Sequence, residues 1–224
     1  MAVRGAARYI PALAQGNRIY PENIAGLLGI PEVGNVWYVD ANKSVSGGGT
    51  TRDDAFITVR EALAAATADN DDVIFIASKS STGRTSEAQS ITWSKRRTHL
   101  IGNGAPRRIN SRNGMSFTSA ATTPSMTISA NNCIFANVSI AQFNDVNVLL
   151  NITGNYNTFI NCHFQGMGNA TTGDDTAGRS VVLTGAEENE FINCTFGLDT
   201  VARSAANASV ELTGSCPRNK FLRS

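Results

Sequence analysis

The chain has 224 residues, 42% of them hydrophobic and 17% charged, with a formal net charge of +1. That length and apolar content suit one domain with a buried core, and the small net charge argues against a general affinity for polyanions. The N-terminal M-A-V-R-G-A-A-R-Y-I lacks the uninterrupted apolar run of a secretory signal, and no window reaches membrane-spanning length. Synthesis in a cytoplasm is therefore expected, without membrane insertion.

Residues 1–35 hold three of the six prolines (Pro11, Pro21, Pro31), three arginines, and apolar residues without sustained period. They read as an extended arm rather than a packed unit. A short helix over 21–28 is expected within it, with Pro21 in the first turn and Ile24, Leu27 and Leu28 on one face. Apolar residues in such a segment are usually stabilised by burial against a partner. The arm is thus expected to anchor the chain, with Arg4, Arg8, Tyr9, Arg18 and Tyr20 as contact residues.

A compact strand V-W-Y-V-D (36–40) follows, then a glycine-rich loop, S-V-S-G-G-G-T-T-R-D-D-A (44–55). The loop lacks the Lys-Ser/Thr ending of a phosphate-binding loop. Phe56, Val59, Leu63 and Ala66 stand at helical spacing and predict a helix over 56–68. D-D-V-I-F-I-A (71–77) reads as a buried strand, and T-H-L-I-G-N-G (98–104) as another ending in a glycine-rich turn. His99 is expected at a strand edge.

The second half repeats. M-T-I-S-A (126–130), L-N-I-T-G (150–154), V-V-L-T-G (181–185) and V-E-L-T-G (210–214) are one strand-and-turn pattern, copied four times. Each copy precedes a second segment: C-I-F-A-N-V-S-I (133–140), N-T-F-I-N-C-H-F (157–164), N-E-F-I-N-C-T-F (189–196) and N-K-F-L-R-S (219–224). Short strands recurring at this period predict a β-solenoid in which like residues stack about 4.8 Å apart. Phe135, Phe159, Phe191 and Phe221 share one slot, and Ile140, Phe164 and Phe196 a second. Val138, Cys162, Cys194 and Ser224 form a further column. Cys162 and Cys194 read as small buried thiols in preference to a disulfide. Asn137, Asn161 and Asn193 fall at the bend between the apolar slots, where left-handed backbone and amide-to-amide stacking both suit asparagine.

The run from Val36 to Ala77 resembles the N-terminal cap of right-handed parallel β-helices of the pectate-lyase-like superfamily. The matching segments are Y-V-D (38–40), A-F-I-T-V-R-E-A-L (55–63) and D-V-I-F-I-A (72–77), and with the repeats the similarity spans about residues 36–224. The resemblance implies an all-β, right-handed parallel β-helix with an N-terminal capping helix and an extended arm. Its parts would be the arm at 1–35, the cap at 36–77 and the coils at 98–224. It is closest in character to phage members, in which an arm fixes a trimeric β-helix to the particle. The implied function is a non-enzymatic virion component, a homotrimeric head-decoration or fibre protein that contacts capsid or other virion proteins. The alternatives are a polysaccharide-degrading tailspike (glycoside hydrolase or lyase) and a non-catalytic module for a host-surface glycan. Fold alone does not choose among them.

Enzymes of that superfamily place Asp or Glu clusters on an outer strand face. Here Ser139, His163 and Thr195 occupy that face, so no catalytic residue is assigned. Cys133 and Cys216 match no metal spacing, and neither metal nor cofactor is expected. Lys95, Arg96, Arg97, Arg107, Arg108 and Arg112 lie in a stretch without acids, Ala88 to Asn144, and read as a basic patch for an acidic partner. Nucleic acid is not that partner, because no aromatic pattern accompanies the arginines. Insertions at 165–179 and 197–208 follow the second apolar slot, so stacking should place them side by side as a working surface. Asp174, Asp175, Arg179 and Arg203 are their candidate contact residues. The fourth repeat ends at Ser224 and is expected to meet a partner subunit through its open edge.

Overall fold

A computed structural model of the chain describes residues 23, 26, 28–30, 32–77, 84–103, 114–120, 123–198 and 200–224. Strand β1 (Val36–Val39) leads through a loop to helix α1 (Val59–Ala65), and then the strands come in threes. The first three are β2 (Asp72–Ile76), β3 (Arg84–Glu87) and β4 (Ile91–Trp93), followed by β5 (Thr98–Gly102), β6 (Gly114–Phe117) and β7 (Met126–Ile128). Next are β8 (Ile134–Ala136), β9 (Ser139–Gln142) and β10 (Val148–Ile152), then β11 (Thr158–Ile160), β12 (His163–Gln165), one helical turn α2 (Ala170–Gly173) and β13 (Arg179–Thr184). The chain continues with β14 (Glu190–Ile192), β15 (Thr195–Phe196), β16 (Ala208–Thr213) and β17 (Lys220–Leu222).

These strands form three sheets, and every pairing is parallel. Sheet I runs β1-β2-β5-β8-β11-β14-β17, sheet II β3-β6-β9-β12-β15, and sheet III β4-β7-β10-β13-β16. From β2 onward the chain visits I, II and III in strict rotation, so each circuit lays one strand beside the equivalent strand of the circuit before.

Register shows why the repeat spacing of the sequence matters. Met126, Leu150, Val181 and Val210 are partners across sheet III, as are Ile128, Ile152, Leu183 and Leu212. Phe135, Phe159, Phe191 and Phe221 are partners across sheet I, and Ile140, Phe164 and Phe196 across sheet II. Like residues therefore meet in one core shared by all three inner faces. The sheet I phenylalanines stack with centroids 5.0, 4.6 and 4.8 Å apart and interplanar angles of 14°, 6° and 2°. That spacing is the strand spacing itself, so strand pairing and ring stacking favour the same register.

The second segment of each repeat is two strands, not one. Asn137, Asn161 and Asn193 divide it, each left-handed at φ 57°, 52° and 53°, and turn the chain from sheet I into sheet II. The Asn161 amide donates to Asn137 Oδ1 at 3.1 Å. Both demands on asparagine, the strained angle and the cross-circuit bond, are met at this bend.

Helix α1 is shorter than its apolar spacing predicts. Thr58 is its N-cap and forms a capping box with Glu61, so the helix begins at Val59. Phe56 lies outside it and bridges to Val39 as a strand residue. Within the helix expected over 21–28, Asn23 and Gly26 are helical; Ile24 and Leu27 lie outside the described residues.

A second, smaller cluster sits on the outer face of sheet I. Ile30 packs there with Val73, Phe75, Ala77 and Ile101, joined at the rim by Leu28, Val33, Val36, Tyr38 and Ile134. Arg52 lies over the Tyr38 and Phe75 rings, with its guanidinium carbon 5.7 and 5.0 Å from their centroids. The stretch just before β1 is thus packed on the sheet that it precedes. No helix among the described residues is long and apolar enough to cross a membrane.

Candidate functional site

Among the described residues, three columns that stack one position per circuit and one pair of inserted loops hold the polar groups considered for function. The first is the turn that enters sheet I. Asp71, Arg97, Asn132, Tyr156, Glu188 and Arg218 occupy it in successive circuits, all left-handed with φ between 51° and 58°. Opposite charges in this turn meet across circuits. Arg97 pairs with Asp71, Arg218 with Glu188 at 2.6 Å, and the neighbouring Arg96 with Asp69 at 2.9 Å. Burial pushes the Asp71 carboxyl up, but hydrogen bonds from Arg97 and His99, with their charges, outweigh it and hold it below its ordinary value. The Asp71 hydrogen bond and charge hold the Arg97 guanidinium above its own ordinary value.

These pairs change the meaning of the basic stretch. Arg96 and Arg97 face acids of the preceding circuit, and Lys95 caps the end of α1 by donating to Ala64 O at 2.8 Å and to Ala66 O. In the described part of the patch the two arginines are therefore paired with acids, and the lysine is held by backbone carbonyls. Arg107, Arg108 and Arg112 lie outside the described residues, as do Arg4, Arg8, Tyr9, Arg18 and Tyr20 of the arm.

The second column lies one residue further on: Asp72, Thr98, Cys133, Asn157 and Asn189 are buried in it, and Asn219 in the last circuit is half-buried. The Oδ1 atoms of Asn157, Asn189 and Asn219 accept the backbone N–H of Cys133, Asn157 and Asn189 at 2.9, 3.0 and 2.9 Å. Their amides donate to Ala130 O, Gly154 O and Ala186 O of the circuit before. This is a second asparagine ladder, unnoticed in the sequence although its residues open the aligned segments at 157, 189 and 219. At the first circuit the column holds Asp72, fully buried. It accepts from Asn35 N (2.7 Å), Trp37 Nε1 (3.0 Å), Thr67 N (2.8 Å) and Asn70 Nδ2 (2.7 Å). Burial raises the Asp72 carboxyl, and these donors together bring it below its ordinary value. Burial pushes the Cys133 thiol up to about 11, so it stays protonated and a poor nucleophile. Cys162 and Cys194 form no disulfide; both are buried and donate to the backbone carbonyls of Phe135 and Phe159.

The third column is the outward face of sheet II, where Arg84, Gly114, Ser139, His163 and Thr195 are register partners. Arg84 reaches past Gly114 to donate to Gln165 Oε1 at 2.7 Å and Ser139 Oγ at 3.3 Å, and lies 5.2 Å from the Phe143 ring centroid. A Cβ at Gly114 would run into the Ser139 backbone, which explains the glycine. Gln165 Nε2 donates to Ser139 Oγ at 2.8 Å and meets His163 Nδ1 at 3.1 Å, while His163 Nε2 faces Gly197 O at 2.9 Å. His163 Nδ1 is thus engaged by Gln165, whose amide nitrogen stands between it and Ser139 Oγ, an arrangement unlike a base hydrogen-bonded to its nucleophile. No carboxylate stands in this column.

The fourth feature is the pair of inserted loops, which do lie side by side. Asn207 Nδ2 donates to Gly173 O at 2.8 Å, and Ser204 bonds Asp174. Asp175 caps its own turn at Ala177 N, 2.8 Å away, and Arg203 donates to Ser209 Oγ at 2.9 Å. Arg179 starts β13 rather than ending a loop. It pairs with Glu211 of the next circuit and donates to Thr176 O at 2.7 Å. The four candidate residues are brought to one side, each with a partner within the loops or their flanking strands.

His99 was expected at a strand edge and is not there. It lies inside sheet I between β2 and β8, 3% exposed. No group of three or more His, Cys, Asp or Glu that could hold a metal occurs among the described residues. Two shallow clefts open at the N-terminal end, one lined by residues 33–38 and Thr50, the other by Glu32, Val33, Gly34, Asp69, Asn70, Asp71 and Arg97. No protein-family model matches the chain, and neither curated proteins nor solved structures gave a significant match.

Proposed function

We propose that the chain is a right-handed parallel β-helix serving as a non-enzymatic structural component of a bacteriophage virion, a homotrimeric head-decoration or fibre protein. The rotation of strands through three parallel sheets supports the β-helix reading, and parallel crossovers are right-handed in nearly all proteins. The observation that carries the non-enzymatic reading is the outward column of sheet II. Arg84, Ser139, His163 and Gln165 bond to one another or to the backbone there, and with Thr195 they offer no carboxylate pair for glycoside or uronate chemistry. The cap motif and the short arm support the phage assignment by resemblance.

Trimer formation draws support from the outer face of sheet I. Ile160, Ile192 and Leu222 are register partners there; the first two are half-buried and Leu222 is 44% exposed. Beside them Glu190 and Lys220 pair at 3.8 Å. An apolar row with a paired polar rim has the composition of a subunit contact. Light scattering on the full chain should give the mass of three 23.7 kDa protomers at micromolar concentration. Ile192→Lys should yield a folded monomer, with unchanged circular dichroism. A monomeric wild type, or an Ile192→Lys protein that is still trimeric, would contradict this assembly.

A further inference from the structure

His99 is the only described side chain whose two ring nitrogens join three successive circuits. Its Nδ1 accepts the Ile134 backbone N–H of the following circuit at 3.0 Å. Its Nε2 faces Asp71 Oδ1 of the preceding circuit at 3.3 Å. Only the neutral ring with its proton on Nε2 satisfies both partners, because a proton on Nδ1 would point at the Ile134 N–H.

The charged groups around it come from every neighbouring element. Asp71 and Asp72 stand at the entry to β2, Arg97 precedes β5 and pairs with Asp71, and Asp69 pairs with Arg96 beside them. From the segment before β1, Glu32 lines the same cleft as Asp71 and Arg97. From β8 comes the Ile134 N–H. In register, His99 follows Val73, and Val73 and Ile134 both belong to the outer cluster on which Leu28, Ile30 and Val33 pack.

We propose that His99 is an acid-sensitive latch that holds the segment 28–35 and the first circuit against the body of the protein. On acidification the ring takes a second proton, the Ile134 bond is lost, and a cation is left beneath an apolar cover with Arg97 already claiming Asp71. Both sheet neighbours of β5 are held by backbone ladders, so the covering segment is the part that can lift to hydrate the ring. Burial is the largest influence on His99 and depresses its affinity for the proton, despite the opposing pull of Asp71. The sign follows. The latch is fully closed above the ordinary histidine value, about 6.5, and opens as the pH falls below it toward the depressed folded value. The inference stands apart from the proposed function.

Hydrogen exchange on the full chain, corrected for intrinsic rates, tests it between pH 7.5 and 5. Residues 28–30 and 32–35 should exchange severalfold faster at the lower pH, because neutral His99 is favoured in the closed state and protonation favours the open one. His99→Gln should remove this acceleration, since a glutamine amide can still accept from Ile134 and donate to Asp71. His163→Gln, which alters the other of the two histidines, should retain it. Equal acceleration in His99→Gln, or none in the wild type, would overturn the latch. Should His99→Gln fail to fold, nitrogen-15 spectra of the wild-type ring decide instead. A neutral Nε2–H tautomer titrating below ordinary histidine supports the latch, and titration at or above the ordinary value overturns it.

Discussion

Phe159→Ala should destabilise the protein by about 4 kcal/mol, near the middle of the range for emptying a buried phenylalanine site. The ring is fully buried, stacked between Phe135 at 5.0 Å and Phe191 at 4.6 Å, and edge-on to Phe164 at 5.7 Å. Each aromatic contact adds roughly 0.5–1.5 kcal/mol beyond burial. Little collapse into the vacated space is available, because the Asn137–Asn161 bond and the buried asparagine ladder fix the circuits on both sides. Phe221→Ala is the internal control. That ring is 38% exposed and stacks on Phe191 from one side, so its loss should cost about 1 kcal/mol. Urea unfolding of both variants measures the difference. Equal losses would show that the phenylalanine column is not a continuous stack.

Asp72→Ala should cost about 3 kcal/mol and act on the first circuit. Its carboxylate gathers donors from Asn35, Trp37, Thr67 and Asn70, so it ties the stretch before β1, β1 itself and the exit of α1 to β2. Hydrogen bonds to a charged acceptor contribute roughly 1.5–3 kcal/mol each, part of which water recovers at the exposed donors. The pH dependence has a definite sign. The folded carboxyl is depressed, so its contribution is present above the ordinary carboxylate value and disappears as the pH falls through the folded one. Glu87 behaves oppositely. Burial beneath the start of α1 raises its carboxyl, so the stability it contributes is present at low pH and lost as the pH rises through the raised value. Urea melts of Asp72→Ala against wild type at pH 7 and pH 3 check this: the gap should be smaller at pH 3 than at pH 7. A constant gap would contradict it.

The repeated half was legible because its signals are redundant. Phenylalanine, the second apolar slot and the bend asparagine recur together, and their offsets give the register that β8, β11, β14 and β17 adopt. The early circuits carry no such redundancy. R-T-S-E, I-T-W and G-M-S-F are three or four residues long, too short to show alternation, and become β3, β4 and β6 through pairing with later strands. The same limit hid the charge pairing. Arg96 and Arg97 meet acids 27 and 26 residues back, and Arg218 meets Glu188 30 residues back, so a linear window reports patches where the fold makes pairs. His99 escaped for a related reason: both of its partners lie in other circuits. The asparagines at 157, 189 and 219 were visible, but only the described geometry shows that their amides face inward and bond the backbone.

Charge pairing between circuits also bears on function. A scaffold whose polar groups are spent on neighbouring circuits is stiff along its length and leaves recognition to its loops and outer rows. Among the described residues, the adjoining loops at 166–178 and 197–207 and the apolar row from Ile160 to Leu222 are the surfaces that the proposed assembly would use.

Copy counting by quantitative mass spectrometry, on purified particles of a phage whose genome encodes the chain, is the most direct test of the proposed structural role. The account predicts that the chain is present in the particles in a multiple of three copies, and that the purified protein leaves bacterial polysaccharide intact. Absence from particles, together with release of reducing or unsaturated sugar ends, would contradict it and favour an enzyme.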